Sequence, residues 1–501
     1  MTVRFGPKTW FWIFLLVGIG TRLARYLAAP PIFGDEAAIG LNIVNKSFAG
    51  LLGGLDYQQV APVGFLWIER AMFEIMGMHE RSMLLWPTLA SVAALIVFAC
   101  WTRILLEPMA SAIATGILAM SEFTVRHSVE LKPYSGDLLF SLLLLLPATL
   151  YLVQRRDRWL ACVVAVTPLA LFMSYPSTLT AGGIWLVLAA VVFRRKKRSA
   201  ALVLAFGIVL AVSFLCLVLP AGTRQYAQTQ NFMLDYWKDA FPPAAPLHFV
   251  AWILRAHTGG MFSYPFEGGS PPWSAGNFAL FALGILYWLR LGRGNFVTLL
   301  LLPFGLTFLA AVLHHYPYGG NARITQHLVP AIIVFATLGL VDLFRRLGVL
   351  EPEKRSRLAF GITFAILLML GVGQSIYSHV VLARDLRPEA LVRRFVRTVA
   401  IDVGESPTFI KLNDLPYVFP WYVRELNQSI VATTLDRLDP ARLSGPLWVI
   451  VTSSAPEQKN ALERMIGRPS TADWVFSTGS GKSENRTVAY GFRPLSSIPA
   501  K

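Results

Sequence analysis

The sequence predicts an all-α polytopic membrane bundle of about 11 spans, with a small extracytoplasmic α/β domain at its C-terminal end. Of the 501 residues, 55% are hydrophobic and 15% are charged, whereas a soluble domain carries about 25% charged residues. Apolar runs of about 20 residues, the length that crosses a bilayer, recur along the first three quarters of the chain. The last quarter is more polar. A soluble enzyme is therefore excluded.

Short polar or charged loops separate the apolar runs, and each run is a candidate span. The first span follows Arg4 and Lys8, and we interpret it as an uncleaved anchor because polar residues suited to catalysis follow it closely. The predicted spans are residues 9–29, 82–101, 109–124, 136–153, 159–173, 178–193, 200–219, 276–290, 295–313, 327–344 and 358–381.

The net charge of +16 would suggest a nucleic-acid partner in a soluble protein. Here the basic residues lie between apolar runs, so we interpret them as topology signals and as contacts with anionic membrane lipids, and we expect no nucleic acid. With a cytoplasmic N-terminus, Lys and Arg concentrate in the short loops on that side, so the positive-inside rule places the opposite loops outside the cytoplasm. These loops are residues 30–81, 124–135, 174–177, 220–275, 314–326 and everything after 382.

The domain prediction follows from this topology. Residues 1–383 form the bundle with the long outer loops 30–81 and 220–275, and residues 384–501 form a soluble extracytoplasmic domain. Short β-rich runs at 408–412, 447–452, 474–477 and 487–492 alternate with helical stretches such as 457–466, which is typical of an α/β domain. The chain is expected in the inner (plasma) membrane of a bacterium, with its C-terminal domain periplasmic or extracellular.

Two adjacent carboxylates, Asp35 and Glu36, open the first outer loop directly after a span. Charged groups at the membrane surface are costly unless they are solvated or used. One interpretation is a helix start, because carboxylates in the first turn of a helix favour its dipole. The other is a general base, which needs a carboxylate within reach of an acceptor hydroxyl. The local pattern leaves both open.

The second outer loop and the segment after residue 313 are also rich in polar side chains. The second loop is either an interfacial belt of snorkelling side chains or a site for a phosphate and sugar hydroxyls. In the later segment, Gly319 and Gly320 predict a tight turn, and Arg323 either snorkels or binds phosphate. The polar side chains concerned are Arg126, His127, Glu130, Lys132, Tyr134, Asp137, His314, His315, Tyr316, Tyr318 and Arg323.

The long loop 220–275 is rich in aromatic residues, among them Tyr236 and Trp237. These rings either form an ordinary interfacial belt or belong to a lid that stacks on sugars. The sequence contains no Walker-type phosphate loop, no His-Glu-x-x-His motif and no zinc-type cysteine pair, so an ATP-driven pump and a zinc protease lose support. No metal site is predicted. No cofactor is implied, and although a divalent cation is compatible with the chemistry, no ligand spacing supports one.

These residues resemble the glycosyltransferase-C superfamily, in particular its bacterial integral membrane glycosyltransferases akin to protein O-mannosyltransferases and the lipid A aminoarabinose transferase. The resemblance covers roughly residues 9–380. Its sharpest elements are GDE at 34–36, DYQQVAPVGFLW at 56–67 and YPYGG at 316–320, in a chain where one span precedes the Asp-Glu motif and a small outer domain closes the sequence.

The resemblance implies inverting transfer of a hexosyl or pentosyl group from a polyprenyl-phosphate donor to a glycan, lipid or protein acceptor. It implies that Asp35 is the general base and that Glu36 orients the acceptor or the sugar. Related aminoarabinose transferases tend to carry a basic residue just before the proline of the first loop, whereas residues 60–62 are Val-Ala-Pro. The donor phosphate is therefore assigned to Lys132, Arg323 and Arg126, and the sugar or acceptor to Glu130, Tyr134, Tyr316, Tyr318 and Gln59.

Two other functions stay open at this point. A lipid-carrier transporter or flippase needs charged residues near the bilayer midplane, and the predicted spans are nearly free of them. A non-catalytic assembly protein that binds the acceptor on the same fold differs from the enzyme only in activity.

Overall fold

The computed structural model describes residues 6–194, 199–266, 271–348, 353–383, 388–402, 408–411, 417–425, 430–432, 447–452, 456–466, 470, 472–477 and 486–492. In these residues a bundle of helices is followed by one mixed sheet with flanking helices. The α-helices are α1 (Pro7–Leu27), α2 (Gly34–Asn45), α3 (Val63–Met76), α4 (Glu80–Leu105), α5 (Pro108–Met120), α6 (Glu122–Arg126), α7 (Tyr134–Gln154), α8 (Asp157–Met173), α9 (Ser177–Phe193), α10 (Ala200–Ser213), α11 (Leu219–Tyr236), α12 (Pro246–Thr258), α13 (Pro271–Arg290), α14 (Gly294–Val312), α15 (Val329–Arg346), α16 (Glu353–Ala383), α17 (Pro388–Asp402), α18 (Val418–Glu425) and α19 (Pro456–Ile466).

Short helical segments of other types lie between these helices. Residues Phe214–Val218 form a π-helical turn between α10 and α11. The 3₁₀ segments are Gly50–Leu52, His127–Val129, Lys238–Ala240, Gly260–Phe262 and Ala322–Leu328.

Every predicted span lies largely on helical residues, although 109–124 crosses the break between α5 and α6 and 200–219 runs from α10 through the π-helical turn to the start of α11. The membrane-embedded helical architecture is confirmed. The predicted number of about 11 spans is not confirmed. Among the described residues, six helices are long and apolar enough to cross a membrane, or seven if the bent pair α5–α6 counts as one span. Helices α8 and α9 have 17 residues each, shorter than the roughly 20 that a crossing needs.

A buried arginine stabilises the break between α5 and α6. The chain bends there by 52°, and backbone carbonyls next to a helix break lack their usual helical donors. The guanidinium of Arg22 in α1 donates hydrogen bonds to the carbonyl oxygens of Leu118 and Ala119, at 3.2 and 3.0 Å. Since five N–H groups suit a guanidinium to several carbonyls at once, Arg22 fixes the bend that precedes the polar segment 126–132.

The C-terminal part contains a five-stranded sheet in the order β2-β1-β3-β5-β4. The strands are β1 (Thr408–Lys411), β2 (Ile430–Ala432), β3 (Leu447–Thr452), β4 (Ala472–Ser477) and β5 (Arg486–Phe492). Strands β1, β2 and β3 are parallel, and β5 runs antiparallel to both β3 and β4. Four of these strands match the predicted β-rich runs, whereas β2 was not predicted because it is only three residues long.

The two faces of the sheet pack against different elements. Successive strand residues point to opposite faces, so Trp448 and Ile450 join a core with α17 and α18, while Val449 and Val451 join one with α19. The first of these cores also includes apolar residues of α2 and α3. The sheet and its helices are therefore packed onto α2 and α3, within the segment 30–81.

Ion pairs support this packing. Glu80, at the start of α4, is buried and pairs with Arg393 at 3.3 Å and with Arg397 at 2.8 Å. Arg397 also pairs with Glu425 at 2.8 Å, and Arg393 donates a hydrogen bond to the carbonyl oxygen of Ala29 at 2.9 Å. These contacts bind α17 to the start of α4 and to the segment that leads from α1 into the Asp-Glu motif, and they bind α18 to α17.

Candidate active site

The Asp-Glu motif forms the first turn of helix α2. The N–H group of Phe33 donates to Glu36 Oε2 at 3.4 Å, so Glu36 caps the helix it belongs to. Glu36 is buried, whereas 38% of the Asp35 side chain is exposed. Just before the helix, the N–H group of Ile32 donates to the Tyr422 hydroxyl oxygen at 3.0 Å. The helix-start interpretation therefore applies to Glu36, whereas the Asp35 carboxylate is not used to cap the helix and is partly open to solvent.

Two cationic side chains converge on Asp35. Its Oδ2 atom lies 3.4 Å from Lys132 Nζ and 3.7 Å from an Nη atom of Arg323. Lys132 also donates a hydrogen bond to Gln59 Oε1 at 2.9 Å. Segment 30–81, segment 124–135 and the residues before α15 thus each supply part of one polar cluster. We define the cluster Asp35, Gln59, Lys132 and Arg323 as the Asp35 site.

Two aromatic residues at the end of α11, Tyr236 and Trp237, hold Arg323. Its guanidinium donates to the Tyr236 hydroxyl at 2.7 Å, and it lies 5.8 Å from the ring centroid of Tyr236 and 5.0 Å from that of Trp237. The Asn321 side chain accepts a hydrogen bond from the Arg323 backbone N–H at 3.0 Å. Stacking and hydrogen bonding orient a planar guanidinium, so one edge of the Arg323 group faces Asp35.

Arg126 forms an ion pair with a neighbouring carboxylate. Its Nε donates to Glu130 Oε1 at 2.7 Å, and His127 Nδ1 lies 2.5 Å from Glu130 Oε2. Burial alone would raise the pKa of Glu130, but the charges and hydrogen bonds of His127 and Arg126 lower it far below its usual value. Glu130 is therefore a stable anion beside the Asp35 site. The ring of Tyr134, half-buried, lies 4.9 Å from the His127 ring.

Glu36 has the opposite electrostatic environment. Burial raises the pKa of its carboxyl group well above the usual value, and the neighbouring carboxylates of Glu130 and Asp35 raise it further. Three carboxyl groups that repel one another when charged favour a state in which one of them keeps its proton. Asp35 is the exposed carboxylate with cations beside it, and Glu36 is the buried group that tends to keep its proton.

Replacing Glu36 by glutamine is expected to stabilise the protein increasingly as the pH rises. A folded-state pKa above the unfolded one makes the carboxyl group stabilising at low pH, and this contribution is lost as pH rises from the unfolded value of 4.5 through the folded one. Glutamine is neutral throughout. Thermal unfolding of both proteins between about pH 4 and pH 9 measures the difference. A difference that stays constant over this pH range would contradict this assignment.

The two tyrosines of the segment after α14 use their hydroxyl groups within the protein. The Tyr316 hydroxyl donates to the Ile324 carbonyl oxygen at 2.7 Å. Tyr318 is buried, and its hydroxyl lies 3.1 Å from His257 Nε2. The following Gly319 and Gly320 both have φ of +70°, in the left-handed region that favours glycine. These residues form the turn that precedes Arg323. Among the described contacts, none joins either tyrosine hydroxyl to Asp35.

Known proteins resemble this chain in part of its sequence and in its fold. Residues 60–219 match the family described as dolichyl-phosphate-mannose-protein mannosyltransferase, a segment that contains Lys132 but neither Asp35 nor Arg323. The apo structure of ArnT from Cupriavidus metallidurans is similar at a TM-score of 0.54 and 13% identity, covering 96% of this chain and 98% of that chain. The same protein bound to undecaprenyl phosphate gives a TM-score of 0.55 and 14% identity with the same coverage. No curated protein sequence matches the chain.

The likeness to ArnT extends over nearly the whole of both chains. The chain has the glycosyltransferase-C fold. This confirms the resemblance inferred from the Asp-Glu motif and the topology. Within the glycosyltransferase-C fold, the described residues contain no group of three or more His, Cys, Asp or Glu side chains placed to hold a metal ion.

Several residues that support the Asp35 site had no individual signal in the sequence. Gln225 of α11 is buried and pairs with the backbone of Ala61, accepting from its N–H and donating to its carbonyl oxygen, both at 3.0 Å. Tyr422 binds the backbone at Ile32 across 390 residues of sequence. A long-range contact to a backbone group leaves no local pattern, and only an alignment of related sequences could have revealed it.

Proposed function

We propose that this chain is an integral membrane glycosyltransferase that moves a sugar from a polyprenyl-phosphate donor to a hydroxyl group of an acceptor, at the outer face of the bacterial inner membrane. The main observation behind this proposal is that the Asp35 carboxylate lies between Lys132 and Arg323, with Oδ2 at 3.4 Å from the lysine Nζ and 3.7 Å from an arginine Nη. A carboxylate is a suitable base for a hydroxyl, and two cations suit a phosphate leaving group. The glycosyltransferase-C fold and the lipid phosphate bound by ArnT support the donor class.

The reaction follows from these roles. The acceptor oxygen forms a bond to the anomeric carbon of the sugar while its proton passes to Asp35, and the bond between that carbon and the phosphate oxygen breaks on the opposite face. The configuration of the sugar inverts. The polyprenyl phosphate leaves with an additional negative charge, which Lys132 and Arg323 stabilise. A phosphate group needs no protonation to leave at neutral pH, so a base and a cationic clamp are sufficient.

The donor class also fits the position of the cations. A polyprenyl phosphate is anchored by its hydrocarbon chain, so its phosphate stays near the membrane surface. Asp35 lies in the first turn of α2, shortly after the candidate span Pro7–Leu27, and Arg323 lies at the very start of the candidate span Ala322–Arg346. A nucleotide sugar in solution would need no such placement.

A donor-binding screen tests the proposal. Thermal unfolding of the purified full chain in nanodiscs is recorded with undecaprenyl phosphate, polyprenyl-phosphate sugars, undecaprenol and nucleotide sugars. Because a ligand that binds only the folded state raises its apparent stability, we expect stabilisation by the phosphate-bearing lipids alone. Equal stabilisation by undecaprenol would show that the phosphate is not recognised. Stabilisation by the lipid phosphates without any transfer of a labelled sugar to cell-envelope acceptors would favour a lipid-carrier transporter or a non-catalytic protein.

A further inference from the structure

We propose that Tyr57 and Tyr417 form an aromatic platform on which a sugar ring of the acceptor stacks beside the Asp35 site. This inference rests on the proposed transferase function and deepens it. It assigns the acceptor a carbohydrate portion and gives the C-terminal segment a direct part in binding it.

The two rings form an exposed pair from distant parts of the chain. Their centroids are 4.9 Å apart with an angle of 53° between the ring planes, and each tyrosine is 37% exposed. Tyr57 belongs to the first outer loop, and Tyr417 directly precedes α18. Phe232 and Tyr236, which are 41% and 56% exposed, form another solvent-facing pair, but both belong to the single helix α11. Tyr57 and Tyr417 instead come together from distant parts of the chain and lie outside the candidate spans, and an exposed apolar surface built in this way favours a binding partner.

The backbone at Tyr57 is held in an unusual conformation. Tyr57 and Gln58 have φ of +60° and +56°, in the left-handed region that residues other than glycine rarely adopt. The buried side chain of Asn42 holds this turn, since it accepts from the Asp56 N–H at 2.7 Å and donates to the Asp56 carbonyl oxygen at 3.0 Å. Such constrained residues concentrate where a side chain must be presented to a ligand.

The platform is connected to the Asp35 site by direct contacts. The Gln59 side-chain amide donates to the Tyr57 carbonyl oxygen at 3.1 Å and accepts from Lys132 at 2.9 Å, and Lys132 reaches Asp35. On the other side, Trp421 of α18 packs so closely on Gly40 of α2 that no Cβ would fit there. Both rings are therefore positioned by elements that also position the Asp35 carboxylate.

The surroundings favour a sugar over a lipid chain or an apolar peptide. Tyrosine offers an apolar face together with a polar hydroxyl. Beside the rings lie polar groups that suit sugar hydroxyls, namely the exposed Gln58 side chain and the Asp56 carboxylate, which is 60% exposed and pairs with Lys46 at 3.2 Å. Carbohydrate sites combine apolar faces with a few placed polar groups in this way.

Saturation-transfer-difference NMR on the full chain in nanodiscs tests the platform, with N-acetylglucosamine, mannobiose and maltose as probes. We expect transfer to at least one of these saccharides. Tyr57→Ala and Tyr417→Ala should each weaken its apparent affinity about tenfold, as the loss of one aromatic stacking partner does. Tyr57→Phe and Tyr417→Phe keep the rings and should stay within about twofold of the wild type.

The result that overturns the inference is distinct from failure of the proposed function. No transfer to any probe, or equal transfer to the alanine variants and the wild type, would overturn it. A cooperative thermal unfolding transition of the alanine variants near the wild-type temperature shows that these variants are folded, whether or not a lipid phosphate binds. Saccharide binding should persist in Asp35→Asn, so the platform is tested whether or not Asp35 is the base.

Discussion

Replacing Asp35 by asparagine is expected to lower the rate of sugar transfer by a factor of about 10² to 10⁴, the range that a general base contributes. Asparagine keeps the shape of the side chain but cannot take a proton from the acceptor. The measurement is the single-turnover rate with a saturating polyprenyl-phosphate sugar, as identified by the donor screen. A variant that keeps the full rate would show that another group is the base.

The same substitution should leave donor binding intact or strengthen it. In the structure the Asp35 carboxylate lies beside the two cations that are assigned to the phosphate, at 3.4 and 3.7 Å. Removing its charge leaves both cations more available to an anion. Titration with undecaprenyl phosphate measures this, and a loss of affinity as large as the loss of rate would contradict the assigned role.

Asp157→Asn is a suitable control for Asp35→Asn. Its carboxylate accepts a hydrogen bond from Ser199 at 2.6 Å in a segment predicted on the other side of the membrane, and an asparagine oxygen can accept the same bond. We expect both its transfer rate and its lipid affinity to match the wild type. A general effect of removing a carboxylate would appear in both variants.

The sequence could predict the helices because each depends on a local pattern. The apolar runs of spans appear as helices at nearly the predicted positions, from α1 at Pro7–Leu27 to α15 at Val329–Arg346. The number of crossings could not be read from these runs. Whether a 17-residue helix such as α8 spans the bilayer depends on tilt and on its neighbours, and neither is encoded in hydropathy.

Part of the candidate site was also predictable. Asp35, Lys132 and Arg323 stand out because each places a charge next to an apolar run, where charge is costly. The prediction that these three residues lie close together rested on the resemblance to a family and on the placement of their three loops on one side of the membrane. The structure brings these three together, whereas Arg126 pairs with Glu130 and Tyr318 lies against His257. Local pattern could not distinguish a cation that faces the site from one neutralised by a nearby carboxylate.

The contribution of the C-terminal segment could not be predicted at all. Tyr422 and Arg393 contact backbone groups at Ile32 and Ala29, more than 350 residues earlier in the sequence. Their interactions depend on how the sheet packs on the bundle. The structure therefore adds to the prediction of a small outer domain a second role for this segment, as a support for the chain that leads into Asp35.

Lys132→Met and Arg323→Met are expected to weaken the binding of undecaprenyl phosphate by about 10- to 100-fold each, the value of one hydrogen bond to a charged group. Methionine preserves side-chain length and removes the charge. The affinity is measured by titration in nanodiscs at two salt concentrations. Binding by the wild type should weaken with salt, because salt screens the attraction between the approaching phosphate and the site, and each variant should lose part of this dependence because it has one cation fewer.

Arg323→Lys separates charge from geometry. Lysine keeps the positive charge but cannot stack on Trp237 or bind two phosphate oxygens as a planar fork. We expect an affinity between those of the wild type and Arg323→Met. Arg255→Met, an exposed position on α12 whose guanidinium donates only to the nearby Ala251 carbonyl in the described contacts, is the control and should bind normally.

The double variant Lys132→Met/Arg323→Met tests whether the two cations hold one ligand. If both contact the same phosphate, their losses of binding free energy should not be independent, because removing one changes where the phosphate sits and how the other reaches it. Strict additivity, or an unchanged affinity in either single variant, would place the phosphate elsewhere. An unchanged affinity together with a lowered transfer rate would instead assign these cations to the orientation of Asp35, with which both already pair.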